Sequence, residues 1–265
     1  MAYAFPEVTL LITHYNRSKS LQRLLETFRK QQFIFGDIVV SDDGSQPEHL
    51  EPLQAGQQEY GYKLITTPRN KGLGNNINKG QDAVTTPYTL YVQEDFEPSA
   101  ILAEHFADAL QFMKEDMSLD IVRFYAYFTY PKKRLYGKGF SEMVYSPFTP
   151  NHLKFYVYSD HPHLRRSNFL EKFGRYPEGI KGDLTEYTMA ISFIQKGGRG
   201  LFYNDFTALF YQKNSSDEPS TMNRAGWRES RNVFIMTLRA LYLQYKLLKC
   251  TRDVYFMKTP ERKIT

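Results

Sequence analysis

Three clusters of polar side chains interrupt the apolar first part of the chain, and each follows directly after a short apolar run. They lie at residues 13–17, 41–45 and 93–95. Carboxylate and amide oxygens hydrogen-bond sugar hydroxyls and bind hard cations such as Mg²⁺, whereas an arginine suits phosphate. These residue types therefore predict a site for a ribose, a divalent cation and a diphosphate.

Each cluster also has an ordinary structural explanation when it is taken alone. Asp43-Gly44-Ser45 is common turn chemistry, and Asn16 or Ser18 can cap a helix. The functional interpretation depends on the three clusters lying together.

The elements that must bring them together alternate between apolar runs and helical patterns, which is typical of βαβ units around a mainly parallel sheet. The predicted strands are residues 8–13, 38–41, 62–66 and 87–92, and the predicted helices are residues 21–28, 47–60 and 72–84. Ligands of open α/β sheets bind at the carboxyl ends of the strands, so the clusters are expected at one edge.

The second half of the chain is less regular. The expected elements are a helix at residues 100–114, an aromatic strand at 121–129, loops with strands of undetermined position through Pro150, a helix from about Asp183, a strand pair at 200–211, a polar segment at 213–224 and a long final helix. The polar segment is a candidate lid over the site.

The order and spacing of four motifs resemble the inverting glycosyltransferase family 2. The motifs are Thr13-His14-Tyr15-Asn16-Arg17, Asp42-Asp43-Gly44-Ser45, Asn70-Lys71-Gly72-Leu73-Gly74-Asn75 and Gln93-Glu94-Asp95. The resemblance implies an α/β fold of the GT-A type, a mainly parallel sheet flanked by helices, with a C-terminal helical extension. It also implies transfer of a sugar from a nucleoside diphosphate to an acceptor hydroxyl. Residues 1–98 would form the donor half, 99–224 the acceptor-binding and catalytic half, and 225–265 a basic amphipathic helix and tail.

The resemblance carries roles to individual donor-side residues. Asp43 would accept a hydrogen bond from the nucleobase, Tyr15 would offer it an aromatic face, and Arg17 would approach the phosphates. The other expected donor-binding residues are Thr13, Asn70, Gly72, Asn75, Gln93 and Glu94. Pairing with a surface acid is the alternative for Arg17, and helix capping is the alternative for Asn70.

Asp95 resembles the last acid of the family's DXD motif, which holds Mn²⁺ or Mg²⁺ against the diphosphate. Gln93 departs from the motif because it occupies the first acidic position. Metal binding would then rest on Asp95, with Glu94 as a second candidate. A histidine that often assists in this fold is also missing, since the corresponding region offers only Gln212 and Asn214.

An inverting transfer needs a carboxylate that accepts the proton of the acceptor hydroxyl. The resemblance places this base near the start of a helix in the second half, where Asp183 and Glu186 are both candidates. We favour Asp183, although counting back from Lys196-Gly197-Gly198 aligns Glu186 better. The same Asp-X-X-Glu spacing is also typical of a capping box.

Composition limits the partners and the compartment. The single cysteine excludes an internal disulfide, and no apolar run approaches the roughly 20 residues of a membrane span. With no signal-peptide pattern, we expect a cytoplasmic protein. A net charge of +5 favours phosphates or anionic lipid. Because the final helix has an apolar stripe beside basic residues, peripheral attachment to the inner membrane face is a further expectation.

The expected partners are a UDP- or dTDP-sugar and a glycan or lipid-linked glycan acceptor. Nucleic acid is not expected, because the basic residues form no dense stripe. A sugar-phosphate nucleotidylyltransferase is disfavoured, since residues 13–17 lack a glycine-rich phosphate loop. A non-catalytic glycan-binding module stays open because of Gln93.

Overall fold

A nine-stranded sheet forms the centre of the computed structural model, which describes residues 2–214, Glu218 and residues 232–259. The strands of the chain are β1 (Tyr3–His14), β2 (Phe33–Asp42), β3 (Lys63–Ile65), β4 (Tyr88–Gln93), β5 (Phe96–Pro98), β6 (Ile121–Arg123), β7 (Lys133–Gly137), β8 (Phe140–Met143), β9 (His163–Arg166), β10 (Gly200–Tyr203) and β11 (Phe210–Gln212). Their order in the large sheet is β3-β2-β1-β4-β9-β6-β10-β8-β7, and β5 pairs with β11 in a separate two-stranded sheet.

The large sheet is mainly parallel, as the sequence pattern predicts. Strands β1 to β4 pair in parallel, and so do β6 and β10. Only β8 and β9 run against the other strands of this sheet in the described chain. The carboxyl ends of β1, β2 and β4 therefore meet at one edge, where Thr13 lies between Ser41 and Gln93.

Helices cover both faces of this sheet. They are α1 (Ser18–Lys30), α2 (Pro47–Tyr60), α3 (Leu73–Asp82), α4 (Leu102–Glu115), α5 (Phe169–Phe173), α6 (Gly182–Gln195) and α7 (Val233–Phe256). Leu24 of α1 and Phe106 of α4 share one core cluster with Leu10, whereas Ile77 of α3 and Phe193 of α6 share the other with Leu11. Neighbouring residues of β1 thus face opposite helical layers, the alternation expected of a strand buried on both sides.

Helix α3 approaches its surroundings closely because two of its residues are glycines. A Cβ atom on Gly74 would lie 2.1 Å from the carbonyl oxygen of Pro177, in the loop before α6. A Cβ atom on Gly80 would lie 2.7 Å from a methyl carbon of Leu11 in β1. Both contacts exclude a larger residue without a backbone shift, so glycine sets the distance of α3 from the sheet and from α6.

Several predicted elements in the second half are wrong in detail. Strand β6 ends at Arg123, so the aromatic strand expected through residue 129 is too long. The strands β10 and β11 exist, but they belong to different sheets and do not pair with each other. Strand β9 lies in a segment that was not predicted as a strand, whereas the hairpin of β7 with β8 lies where strands were expected without defined positions.

The long final helix is confirmed as α7, which packs its second half against α6 and a short 3-10 helix, His152–Phe155. Cys250 is buried there with Phe155 and Ile191. Within the described residues, no helix is long and apolar enough to cross a membrane. Of the expected lid, only residues 213, 214 and 218 are described.

Candidate active site

The end of β1 and the end of β2 are joined by a buried network around His14 and Asp42. Nδ1 of His14 lies 2.9 Å from Oδ1 of Asp42, and Nε2 of His14 accepts the backbone N–H of Arg17 at 3.1 Å. Burial opposes ionisation of Asp42, but hydrogen bonds from His14, Ser45 and Thr66 outweigh it and hold the pKa of Asp42 well below its usual value. This hydrogen bond between His14 and Asp42, which the sequence pattern did not single out, fixes the loop that carries Tyr15 and Arg17.

Asp43 positions the loop before α3. Its two carboxylate oxygens accept the backbone N–H groups of Lys71 and Gly72, each at 2.9 Å. Burial raises the pKa of Asp43 despite these bonds. Each oxygen keeps a second lone pair, so a further N–H donor can still bind. Gly72 has φ +88°, which favours glycine there.

Three asparagines in and after this loop make different hydrogen bonds. Asn70 accepts the N–H of Gly72 at 3.1 Å, so it orders the loop before α3, but it does not cap the helix, whose N-cap residue is Gly72. Asn76 is buried and donates to the carbonyl of His14. Asn75 is half-buried and donates to Glu178 at 2.8 Å, while its Oδ1 has no hydrogen-bond partner within the described chain.

Lys79 of α3 is a site residue that the sequence pattern did not reveal. Its ammonium group donates to the carbonyl of Asp42 and to Oδ1 of Asn76. Burial lowers the pKa of Lys79 to about 8, although Asp43 and Asp42 act in the opposite direction. A lysine in a helical segment does not by itself indicate that its ammonium group will be buried at the end of β2. That position depends on how α3 packs against β2.

The acidic end of β4 contains a buried arginine contact. Nη1 of Arg17 lies 3.4 Å from Oε1 of Glu94 and 3.4 Å from Oδ2 of Asp95. Burial and the neighbouring Asp95 raise the pKa of Glu94 to about 8, against the effect of Arg17. Arg17 thus pairs with acids, as its alternative interpretation states, but those acids are buried at the sheet edge rather than on the surface. Gln93 beside them is half-buried.

Gln212 of β11 and Asn214 just after it contact Asp95 and Arg17. Nε2 of Gln212 donates to Oδ2 of Asp95 at 2.9 Å, and its Oε1 accepts the hydroxyl of Tyr127 at 2.7 Å. Asn214 accepts from Nη2 of Arg17 at 2.7 Å. The two polar residues that stand where a histidine is often found therefore contact the acidic end and its arginine.

Asp95 fits a divalent cation in one respect. Its Oδ1 is buried and has no hydrogen-bond partner among the described residues. Those residues contain no group of three His, Cys, Asp or Glu side chains that could hold a metal ion. A cation here would therefore need oxygen atoms of a bound ligand beside Asp95, which is how Mg²⁺ commonly binds with nucleotides.

A second acidic pair lies across an aromatic contact from the first. Oε1 of Glu186 in α6 accepts the backbone N–H of Asp160 at 3.1 Å, and Oδ1 of Asp160 accepts the hydroxyl of Tyr158. His161, which follows Asp160, packs its ring 5.9 Å from that of Phe96, which follows Asp95. This ring contact joins the segment of the first acidic pair to the segment of Asp160.

Burial raises the pKa of Glu186, and the proximity of Asp160 adds to this effect. Burial also raises the pKa of Asp160, although the Tyr158 hydroxyl opposes it. Asp183 is exposed in the first turn of α6 and makes no capping hydrogen bond with its side chain, since the helix begins after Lys181. The capping-box interpretation of Asp183 and Glu186 is therefore wrong.

The remaining donor candidates lie where strands β1 and β4 end. Thr13 is buried and hydrogen-bonds Tyr91 at 3.0 Å, which makes it a support for the sheet edge. Tyr15 is half-buried in the loop after β1. The two histidines His161 and His163 lie in an aromatic and arginine-rich environment, and no zinc-type cluster forms around them in the described chain.

The fold and this site define a GT-A type α/β protein with polar side chains gathered at the carboxyl ends of its strands. The sequence profile described as Glycosyl transferase family 2 matches residues 9–173, which is more than half of the chain. The chain therefore belongs to glycosyltransferase family 2. A search of curated protein sequences found no match.

Solved structures support the same fold. The S. aureus protein TarS, residues 1–349 in complex with UDP-GlcNAc, is 18% identical with a TM-score of 0.62, covering 95% of this chain and 73% of that one. The Pyrobaculum calidifontis mannosyltransferase PcManGT, with GDP-Man and Mn²⁺, is 13% identical with a TM-score of 0.55, covering 96% and 72%. GalNAc-T7, with UDP, GalNAc and Mn²⁺, is 14% identical with a TM-score of 0.53, covering 74% and 42%.

Proposed function

We propose that this glycosyltransferase transfers a sugar from a UDP-sugar, or a dTDP-sugar, to a hydroxyl of a glycan with inversion at the anomeric carbon, in the synthesis of a surface polysaccharide. The observation that carries the proposal is the meeting of the ends of β1, β2 and β4 with the loop before α3. Complexes of similar folds with UDP-GlcNAc, UDP and GDP-Man support a nucleotide-sugar donor.

On this proposal the donor lies along the ends of the three strands. Tyr15 stacks on the base and Asp43 accepts a base N–H through its remaining lone pairs, while Gln93 binds a ribose hydroxyl. The diphosphate lies near Arg17 and the loop before α3, whose helix start favours anions. When bound, Mn²⁺ or Mg²⁺ would be held by Asp95 and phosphate oxygens and would neutralise the charge of the departing diphosphate.

The proton of the acceptor hydroxyl goes to a carboxylate on α6. The contacts favour Glu186, because its half-buried carboxyl beside Asp160 has a raised pKa and so resembles a general base tuned toward neutral pH. Asp183 is the alternative, since it lies one turn earlier and is exposed. Attack of the acceptor oxygen on the anomeric carbon then breaks the bond to the diphosphate, and the carboxylate retains the proton.

A panel of nucleotide sugars tests the donor assignment. A donor or its nucleoside diphosphate stabilises the folded state by mass action, by about 2.7 kcal/mol at a hundred times its Kd. We expect UDP with MnCl₂ to raise the melting temperature and a matching UDP-sugar to be slowly hydrolysed. If no nucleotide shifts melting with or without metal, the donor site is assigned wrongly.

A non-catalytic binding module is the second candidate, because Gln93 and the arginine contact leave a single unpartnered carboxylate oxygen for a cation. Such a module binds nucleotide sugar or glycan without turnover. Donor hydrolysis that disappears with EDTA, or transfer to any acceptor, excludes it. Binding of UDP with no turnover across the panel would support it.

The acceptor is proposed to be lipid-linked, because α7 offers a surface for an anionic membrane. Its apolar stripe is 50 to 72% exposed, at Phe234, Leu238, Leu241, Tyr245 and Leu248. Arg252 is largely exposed nearby, and the single acid of the helix, Asp253, is buried against Arg252 and Lys249. This combination is typical of helices that lie in a membrane interface.

Vesicle flotation tests the membrane proposal. We expect binding to phosphatidylglycerol vesicles at low salt, release at high salt, and loss of binding in Leu241→Glu with Leu248→Glu. Phosphatidylcholine vesicles are the control for charge. Absence of binding to the anionic vesicles at low salt contradicts the proposal.

A further inference from the structure

The guanidinium group of Arg17 lies between the carboxylates of the acidic strand end. Its Nη1 is 3.4 Å from both Glu94 and Asp95, and its side chain is only 6% exposed. From the other side, Nη2 donates to Asn214 at 2.7 Å and to the carbonyl of Glu218 at 3.0 Å. These contacts fix a positive charge beside Asp95, on the carboxylate oxygen next to the one that would hold a cation.

Two buried polar atoms of Arg17 and Asp95, one a donor and one an acceptor, lack a hydrogen-bond partner among the described residues. Within the described chain, Nε of Arg17 and Oδ1 of Asp95 have no hydrogen-bond partner. Buried polar groups without partners are costly and rare in native proteins, and they frequently mark a site for a ligand or ion. Nε of Arg17 is a donor and Oδ1 of Asp95 is an acceptor, so a diphosphate oxygen would satisfy the first and a divalent cation the second.

We propose that Arg17 is the resident cation of this site and that it makes metal capture depend on the donor. Without a donor, the guanidinium compensates Asp95 and Glu94 and so weakens binding of a free divalent cation. With a donor, the Nε–H of Arg17 binds a diphosphate oxygen, and the diphosphate brings the cation to Oδ1 of Asp95. This inference rests on the proposed donor site and assigns Arg17 as the residue that couples the two ligands.

The proposal predicts that substitution of Arg17 changes the affinity for Mn²⁺ and the affinity for UDP in opposite directions. In Arg17→Gln, Mn²⁺ alone is expected to bind about tenfold to a hundredfold more tightly, because the acids lose their internal partner. UDP in the presence of EDTA is expected to bind more weakly by a similar factor, since one charge-assisted hydrogen bond is lost. Free Mn²⁺ is measured by electron paramagnetic resonance, and UDP binding by calorimetry, so neither readout depends on turnover.

Two variants control the experiment. Arg29→Gln removes an arginine from helix α1, which begins directly after Arg17. Arg29 pairs with Glu59 at the surface, and both affinities are expected to stay unchanged. Arg17→Lys keeps the charge and loses the Nε donor, so Mn²⁺ binding should stay weak while UDP binding falls. If Arg17→Gln does not fold, Arg17→Lys decides, and unchanged UDP affinity in it overturns the proposal.

The outcomes separate this inference from the proposed function. If wild type binds UDP and Arg17→Gln leaves Mn²⁺ affinity unchanged or weakens it, Arg17 is not the competing cation and only this inference fails. If wild type binds neither UDP nor Mn²⁺ at millimolar concentration, the donor site itself is wrong, and the role of Arg17 fails with it.

Discussion

The acidic pair Glu94 and Asp95 and the acidic pair Glu186 and Asp160 contain the same residue types, but their neighbouring arginines make different contacts. Arg17 reaches the carboxylates of Glu94 and Asp95 directly. Arg123, near Glu186, instead donates to the carbonyl of Tyr156 at 2.6 Å and to Ser159 at 2.7 Å. Its charge favours ionisation of Glu186 only from a distance.

This difference separates two kinds of chemistry. Burial raises the pKa of Glu94 and that of Glu186 alike, so each pair has one carboxyl that binds a proton more readily. At the end of β4 the guanidinium of Arg17 opposes this effect by direct contact and adds a positive charge that suits phosphate. The pair of Glu186 with Asp160 lacks such a contact within the described chain, which supports the proposal that it takes the acceptor proton.

The largest expected effect tests the acceptor side. Glu186→Gln is expected to lower acceptor-dependent transfer by roughly 10² to 10⁴, because an amide cannot accept the proton as a base. Donor binding, measured with UDP, should be unchanged. The initial rate with a confirmed donor and acceptor pair is the measurement.

Asp183→Asn is the matched variant one turn earlier on α6. We expect nearly normal transfer from it, since its exposed carboxylate is not part of the pair with Asp160. Normal transfer in Glu186→Gln with loss in Asp183→Asn would move the base to Asp183. Normal transfer in both would remove α6 from the chemistry.

A smaller effect is expected at the donor side. Asp95→Asn should lower transfer by about 10², the usual effect of removing a main electrostatic stabiliser, while the fold stays intact. The metal concentration that gives half-maximal rate should rise as well. Activity near wild type with unchanged metal dependence would break the assignment of the β4 end to a cation.

The smallest effect concerns stability. The raised pKa of Glu186 means that the folded protein holds a proton that the unfolded chain loses above its ordinary value of 4.5. The free energy of unfolding should therefore fall as pH rises from about 4.5 through the raised pKa, by up to about 1.4 kcal/mol per pH unit. Glu186→Gln should reduce this slope in urea unfolding measured from pH 4 to 9. Equal slopes would show that Glu186 titrates normally.

The fold of residues 3–93 could be predicted from the sequence because its signals are local. Four strands alternate with three helices in this part of the chain, and polar motifs follow β1, β2 and β4 directly. Such a pattern determines which residues share the sheet edge, since parallel strands align their carboxyl ends. The contact of Arg17 with Glu94 and Asp95 could not be deduced, because it joins residues 77 and 78 positions apart through side-chain packing.

Strand β9 shows why the second half could not be predicted equally well. Its residue Arg165 is completely buried, although arginine in a sequence pattern normally predicts an exposed position. Its charge is satisfied by Tyr176 at 2.7 Å and Gln81 at 2.8 Å, and its guanidinium packs on the ring of Phe169. These partners come from three separate segments, so burial of His163–Arg166 depends on tertiary contacts that local patterning does not contain. Asp160 lies just before this strand, and the sequence pattern did not identify it for the same reason.

The close backbone approach at Gly74 has a consequence for how variants of this enzyme combine. Helix α3 follows the loop of the proposed donor site, and Gly74 brings the helix against Pro177, just before the helix that carries Glu186. Asn75 and Asn78 of α3 add hydrogen bonds to Glu178 in the same loop. Substitutions in the donor loop and on α6 are therefore expected to be non-additive, with coupling free energies of about 0.5 to 3 kcal/mol in double-mutant cycles. An engineer who changes the donor preference through residues 70–75 should accordingly expect the acceptor preference to change with it.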